Sequence, residues 1–235
     1  MYLSKLILNL KSRKVRSDIS NCQNFHRSIM SAFPSTEGSD ARHEMGILYR
    51  IESNSKTGQY ILLVQSQVMP DWSRLSPDYL LDPNPIIKTV DENFSGISEG
   101  DIFSFRLRVN PTKKVETSLK SDLKSTGTRK NGRREPLRTT GEKMRWLSRK
   151  SQASGFELLT THSISDNLDL FENNEGYISG EKIKGESCHK MIFSSVLFEG
   201  RLRVIDRSLF LEAIKNGIGS GKSYGFGLLS IAKVR

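Results

Sequence analysis

Apolar and polar positions alternate along this chain in short blocks, most of them too brief for long helices. Residues 1–10 are mainly apolar and predict a strand. After a basic turn, Ser17 or Asp18 is placed to cap a helix running to about Phe33, where Pro34 ends it. Ile19, Cys22, Ile29 and Phe33 recur on it at roughly helical spacing. Runs at 46–52 and 60–67 predict two strands joined by the turn-forming segment 53–58. A short helix near 76–81 and a strand at 86–90 complete the series.

The order β-α-β-β-α-β is that of the ferredoxin-like split unit. A soft boundary rich in Gly, Ser and acids lies at 92–100, and a second series of the same kind follows. Its strands are expected at 103–110, 156–164, 194–205 and 225–234, and its helices at 142–153 and 207–216. The chain is therefore expected to be α+β, two tandem ferredoxin-like (RRM-like) βαββαβ domains spanning 1–94 and 95–235. The echo lies in element order, since the two halves share no convincing sequence self-similarity. Segment 114–140 is polar and poor in large apolar groups, and reads as a mobile loop. Segment 166–186 reads as an inserted hairpin or loop.

Composition narrows the functional classes. The 235 residues are 36% apolar, low for a compact domain, and carry 36 Lys+Arg against 26 Asp+Glu. No apolar run reaches the ~18 residues of a membrane span, and residues 6–10 are too short for a signal-peptide core. Cys22 and Cys188 are the only cysteines, so no disulfide framework is expected and the chain reads as cytoplasmic. Positive charge clusters: residues 1–34 hold six basic residues and one acid, and 113–150 hold thirteen and four. Between 166 and 186 the sign reverses, with six acids and two lysines. Two basic blocks suit a polyphosphate partner, because each neutralised phosphate releases counterions. A membrane surface suits them less, since no basic amphipathic helix with an aromatic face is evident.

Three places could carry chemistry. Residues 103–111 alternate so that Phe103, Phe105, Leu107 and Val109 share one face and Arg106, Arg108 and Asn110 the other. Two guanidinium groups about 7 Å apart along a strand suit successive phosphates. The glycine-rich run 217–227 lacks the first P-loop glycine, whose place holds Asn216, and it lies between a helix and a strand in the wrong order. A nucleotide cofactor is accordingly not expected. Its glycines suit close approach of backbone amides to phosphate, with Lys222 adding charge. His26, His43, His162 and His189 show no metal-ligand spacing, and no metal is expected. By spacing alone His26 is an ordinary helical histidine.

Taken together, several segments resemble one family. They are Met1 to Lys5, His26 eight residues before the proline of Phe33-Pro34, 105–113 (Phe-Arg-Leu-Arg-x-Asn-Pro-x-Lys), 134–137, 146–150, and the closing 217–230. The chain resembles, from its first residue nearly to its last, the CasE-type CRISPR precursor-RNA endoribonucleases of the type I-E Cascade complex. The resemblance implies metal-free cleavage of the CRISPR repeat beside a stem-loop. The 2′-hydroxyl would attack the adjacent phosphate, leaving a 2′,3′-cyclic phosphate and a 5′-hydroxyl. His26 matches the family's active-site histidine and is the expected acid or base. Partners would be the repeat stem-loop and other Cascade subunits, with no cofactor and no membrane. Arg27, Arg106, Arg108, Lys113, Arg134, Lys222 and Ser223 are the expected RNA contacts. The family often carries Tyr three residues before the histidine, where this chain has Gln23. A phenol can give up a proton and an amide cannot match it. A hairpin-binding module of the same fold that does not cleave RNA is the competing reading. A nucleotide hydrolase using 217–223 is a more distant one.

Overall fold

The computed structural model describes residues 1–35, 41–54, 56–115, 133–159, 170–184 and 187–234. In chain order it contains β1 (Tyr2–Leu8), α1 (Arg13–Ser20), α2 (Cys22–Met30), α3 (Ala41–Glu44), β2 (Leu48–Ser53), β3 (Tyr60–Ser66), β4 (Ile86–Thr89) and α4 (Asp91–Ser95). There follow β5 (Ile102–Val109), β6 (Thr112–Val115), β7 (Arg133–Pro136), α5 (Thr140–Gln152) and β8 (Phe156–Leu159). The last elements are β9 (Leu170–Lys184), β10 (Ser187–Val204), α6 (Arg207–Asn216) and β11 (Leu229–Lys233). Single 3-10 turns cover Trp72–Arg74 and Lys222–Tyr224. No helix among the described residues is long and apolar enough to cross a membrane.

The fold is mixed α+β, with antiparallel sheets. The first sheet has the order β2-β3-β1-β4 and the second β11-β5-β10-β8, with β9 also pairing β10 and β6 pairing β7. Each sheet lays one apolar face on its own helices. In the first, Leu6, Leu8, Leu62 and Val64 meet Phe25, Ile29 and Phe33. In the second, Phe103, Phe105, Leu107 and Val109 meet Trp146, Leu147, Phe210 and Ile214. Full burial of each such side chain stabilises by roughly 1.5–3 kcal/mol, which fixes the helices on the sheets more firmly than local propensity does.

Several expected elements differ. The helix expected to reach Phe33 is two helices, because the extended backbone of Asn21 (φ −137°, ψ 102°) separates α1 from α2. Its side-chain oxygen accepts from the N–H groups of Gln23 (3.1 Å) and Asn24 (3.5 Å), an N-cap that starts α2 afresh. No helix forms at 76–81; Leu80 instead bridges Leu8 at the sheet margin. The acidic stretch is largely strand β9, hydrogen-bonded to β10 over most of its length. Of the basic segment 114–140, residues 116–132 lie outside the described residues, and the flanking parts form the β6–β7 ribbon. Residues 160–164 of the expected strand, and 166–169, 185 and 186 of the acidic stretch, lie outside them too.

Candidate active site

On α2, Cys22, Phe25 and Ile29 turn inward and Arg27 faces water. Gln23 and His26, three residues apart, share the flank between these faces. Opposite that flank stands the glycine-rich turn from the far end of the chain. Tyr224 donates its hydroxyl to Gln23 Oε1 at 3.1 Å, and its ring meets the His26 ring edge-on, centroids 6.0 Å apart. The turn is tied down by its own chain and by the first sheet. Ile218 N–H donates to the Gly227 carbonyl at 3.0 Å, and Tyr49 donates its hydroxyl to the Ser223 carbonyl at 2.8 Å. Gly217 has φ +74°, and a Cβ there would lie 2.8 Å from Leu48 Cδ2 and 2.9 Å from the Gly227 carbonyl oxygen. Glycine is the residue for that position on both counts.

The β9–β10 hairpin closes another side. Gly180 lies so close to the start of α2 that a Cβ on it would be 2.7 Å from Cys22 Sγ and 2.8 Å from Asn21 Oδ1. The neighbouring N–H of Glu181 donates to that same Asn21 oxygen at 3.3 Å. This contact brings Lys182 to the site.

His26 is held as a neutral imidazole. Burial lowers its pKa to about 4, helped by the positive charges of Arg42, Lys182 and Arg27. Its Nδ1 is enclosed, with no hydrogen-bond partner among the described residues. Lys222 is also lowered, by burial and then by Arg42 and Lys150, so Arg42 acts on both groups. Cys22 is buried, its pKa pushed up to about 11, and is a packing residue rather than a nucleophile. Among the described residues no three His, Cys, Asp or Glu side chains gather as a metal site would need.

The expected site residues separate into three places. His26, Arg27 and the turn bearing Lys222 and Ser223 come together. Lys113 and Arg134 lie on the β6–β7 ribbon, exposed, with Lys113 3.4 Å from Glu142 and Arg134 3.4 Å from the Thr112 hydroxyl. Arg106 and Arg108 do share one strand face, but that face turns toward the first sheet and both guanidinium groups are occupied. Arg106 bonds Glu199 (2.7 Å) and Glu52 (3.1 Å), and Arg108 makes a two-bond contact with Glu175 (2.6 Å each). An open rung of phosphate donors is not what this strand presents.

Sequence reasoning missed Arg42, Lys150, Lys182 and Tyr224. Tyr224 had a usable signal, as the aromatic residue inside the glycine-rich motif. Lys182 was hidden by the acidic character of its surroundings, and Arg42 lies in a polar segment without periodicity.

Comparison with known proteins identifies the family. A family model described as CRISPR associated protein matches residues 1–233. CRISPR-associated endoribonuclease Cse3 of Thermus thermophilus is 32% identical over 99% of this chain and 100% of its own. The CRISPR system Cascade subunit CasE of Escherichia coli K12 is 30% identical over 99% of both chains. A solved structure of CRISPR endoribonuclease Cse3 bound to a 19-nucleotide RNA superposes with a TM-score of 0.77, 31% identity, and coverage of 99% of this chain and 100% of that one. The chain belongs to the CRISPR-associated protein family, within the Cse3/CasE group.

Proposed function

We propose that this chain is an endoribonuclease that cuts CRISPR precursor RNA within the repeat, beside a stem-loop, and needs no metal to do so. The observation that carries the reading is a neutral, half-buried imidazole at the centre of a cluster of cations. At neutral pH His26 Nε2 is free to accept the proton of a ribose 2′-hydroxyl. The 2′ oxygen then bonds to the adjacent phosphorus and the bond from phosphorus to the 5′ oxygen breaks. The products are a 2′,3′-cyclic phosphate and a 5′-hydroxyl, the latter taking up the proton held on the imidazole. Arg27, Arg42, Lys182 and Lys222 offset charge gathering on the phosphorane oxygens. A phosphate among them also cancels part of the repulsion that depresses the His26 pKa, moving it toward the operating pH as substrate binds. Burial, the larger cause, remains.

The hairpin would be gripped through its backbone and shape, as duplex RNA requires, by the exposed Lys113 and Arg134 and by Arg27, Lys222 and the Ser223 turn. Arg106 and Arg108 would have to release Glu199, Glu52 and Glu175 to join them, so their part is secondary. The strand orders of the two sheets and the two separate cores support two tandem ferredoxin-like domains, 1–94 and 95–235. Entry into a Cascade assembly rests on likeness to the Escherichia coli subunit, and retention of the mature RNA is proposed with it.

The nucleophile is tested by replacing the 2′-hydroxyl upstream of the cut with hydrogen, in chelator. Cleavage should stop while hairpin affinity stays. A deoxy substrate still cut would require attack by water. Intact ribo-substrate held tightly but never cut would favour the non-cleaving module.

A further inference from the structure

The ring nitrogen that His26 buries has no polar partner to hold it, yet an imidazole that moves protons must keep a fixed orientation. The group packed against it is Tyr224, contributed across 198 residues of chain by the Lys222–Tyr224 turn. Gly221 and Gly225, in left-handed conformation at φ +77° and +88°, bracket that turn and set the ring's approach. Phe193 of β10 backs the same ring at 5.0 Å between centroids. The hydroxyl is not directed at His26: it is spent on Gln23, itself 6% exposed, one helical turn before the histidine. Phenol, amide and imidazole thus form one packed unit on the flank of α2.

We propose that Tyr224 is the positioning residue of His26: its ring fixes the imidazole plane and covers Nδ1, leaving Nε2 for the RNA. The catalytic side of this assignment rests on the ribonuclease reading above; the contact does not. The positive charges that act on His26 are those of Arg27 on its own helix, Arg42 on α3 and Lys182 on β9; Tyr224, in ring contact with it, shares its turn with Lys222. The three cations act at a distance through charge, whereas Tyr224 is the neighbour in ring contact, so its removal should act through water entry. Burial likewise raises the Tyr224 pKa, so its phenol stays protonated and donating at neutral pH.

The test is an NMR titration of labelled histidine in the full RNA-free chain, with His26 assigned from His26→Gln. Tyr224→Leu should raise the His26 pKa by about one unit or more toward its ordinary value, because water then reaches the ring. Tyr224→Phe, which keeps the ring, should leave it essentially unmoved. In single-turnover cleavage Tyr224→Leu should be slower by on the order of 10- to 100-fold with hairpin affinity unchanged. Tyr224→Phe should retain most of the rate. An unmoved His26 titration in Tyr224→Leu overturns the proposal. A Phe variant as slow as the Leu variant also overturns it, since the hydroxyl would then act itself. Should Tyr224→Leu fail to fold, the wild type still decides: a nuclear Overhauser contact between the His26 and Tyr224 rings is required, and its absence is fatal. Because titration uses no RNA, it stands apart from a His26→Ala variant that cleaves normally, the result that would remove the ribonuclease reading instead.

Discussion

His26 links acidity to stability as well as to chemistry. Its folded pKa of about 4 lies below the ordinary 6.5. Between those values the unfolded chain binds the proton and the folded chain does not. Stability from this group is therefore complete above about pH 6.5, falls as pH drops toward 4, and falls no further below it. Urea denaturation at pH 7 and pH 5 should show a smaller acid loss for His26→Gln than for wild type; equal losses would contradict the burial argument. The motif match pointed to His26 from the sequence, whereas its pairing with these partners was not legible. Arg42, Lys182 and Tyr224 lie 16, 156 and 198 positions away, and only chain crossing brings them together. Arg106 and Arg108 were read correctly for side but not for surroundings: alternation assigns residues to a face, and cannot say that Glu199 on β10 and Glu175 on β9 flank them within their own sheet and that Glu52 reaches Arg106 from the other sheet.

At the scale of elements, the site depends on how α2 is held. Asp18, at the end of α1 and 1% exposed, accepts from Lys14 (2.6 Å), Ser28 (2.6 Å) and Tyr79 (2.9 Å), binding α1 to α2 and to the loop after β3. Asp18→Ala leaves Tyr79 and Ser28 without their acceptor and should cost about 2 kcal/mol in chemical denaturation. No measurable loss would mean that the network carries no weight. The β9–β10 hairpin holds the other end. Gly180→Val should push it off α2 through the clash with Cys22 and Asn21, carrying Lys182 away. Cleavage should fall on the order of 10-fold while stability drops by only about 1–3 kcal/mol. Wild-type activity in that variant would remove Lys182 from the site. The four strands along the main path of each sheet were legible as short apolar or alternating runs between turn-forming residues. The break at Asn21 was not, since apolar spacing runs through it and the cause is a side-chain cap. The hairpin alternative for the acidic stretch is the one that forms, as β9 against β10; its partners were not legible, Glu172 pairing with Lys143 (2.9 Å) and Glu175 with Arg108.

For the molecule as a whole, the proposed chemistry requires the two sheets to keep their relative position, because α2 packs in one core and the residues flanking the Tyr224 turn in the other. Arg50, 1% exposed, is one of the ties between them, beside Tyr49–Ser223 and the buried bond from Gln65 to the Ile214 carbonyl (2.8 Å). It donates to the carbonyls of Leu228 (3.0 Å) and Arg106 (3.3 Å) and to the Ser230 hydroxyl (2.9 Å), and it pairs with Glu52 at 2.6 Å. Arg50→Ala strands Glu52 and those acceptors, and should cost about 3–5 kcal/mol, with broader or split denaturation if the cores uncouple. A loss below about 1 kcal/mol would show that the sheets are joined by other means. A net charge of +10 favours a polyanionic partner in general and says nothing about where such a partner would be cut. Cutting is assigned to one side chain. Single-turnover cleavage of a labelled repeat hairpin by wild type and His26→Ala, in chelator and with hairpin affinity measured alongside, addresses that assignment most directly. The variant should bind as wild type does and cut slower by about 10²- to 10⁴-fold. Equal rates at equal affinity would contradict it.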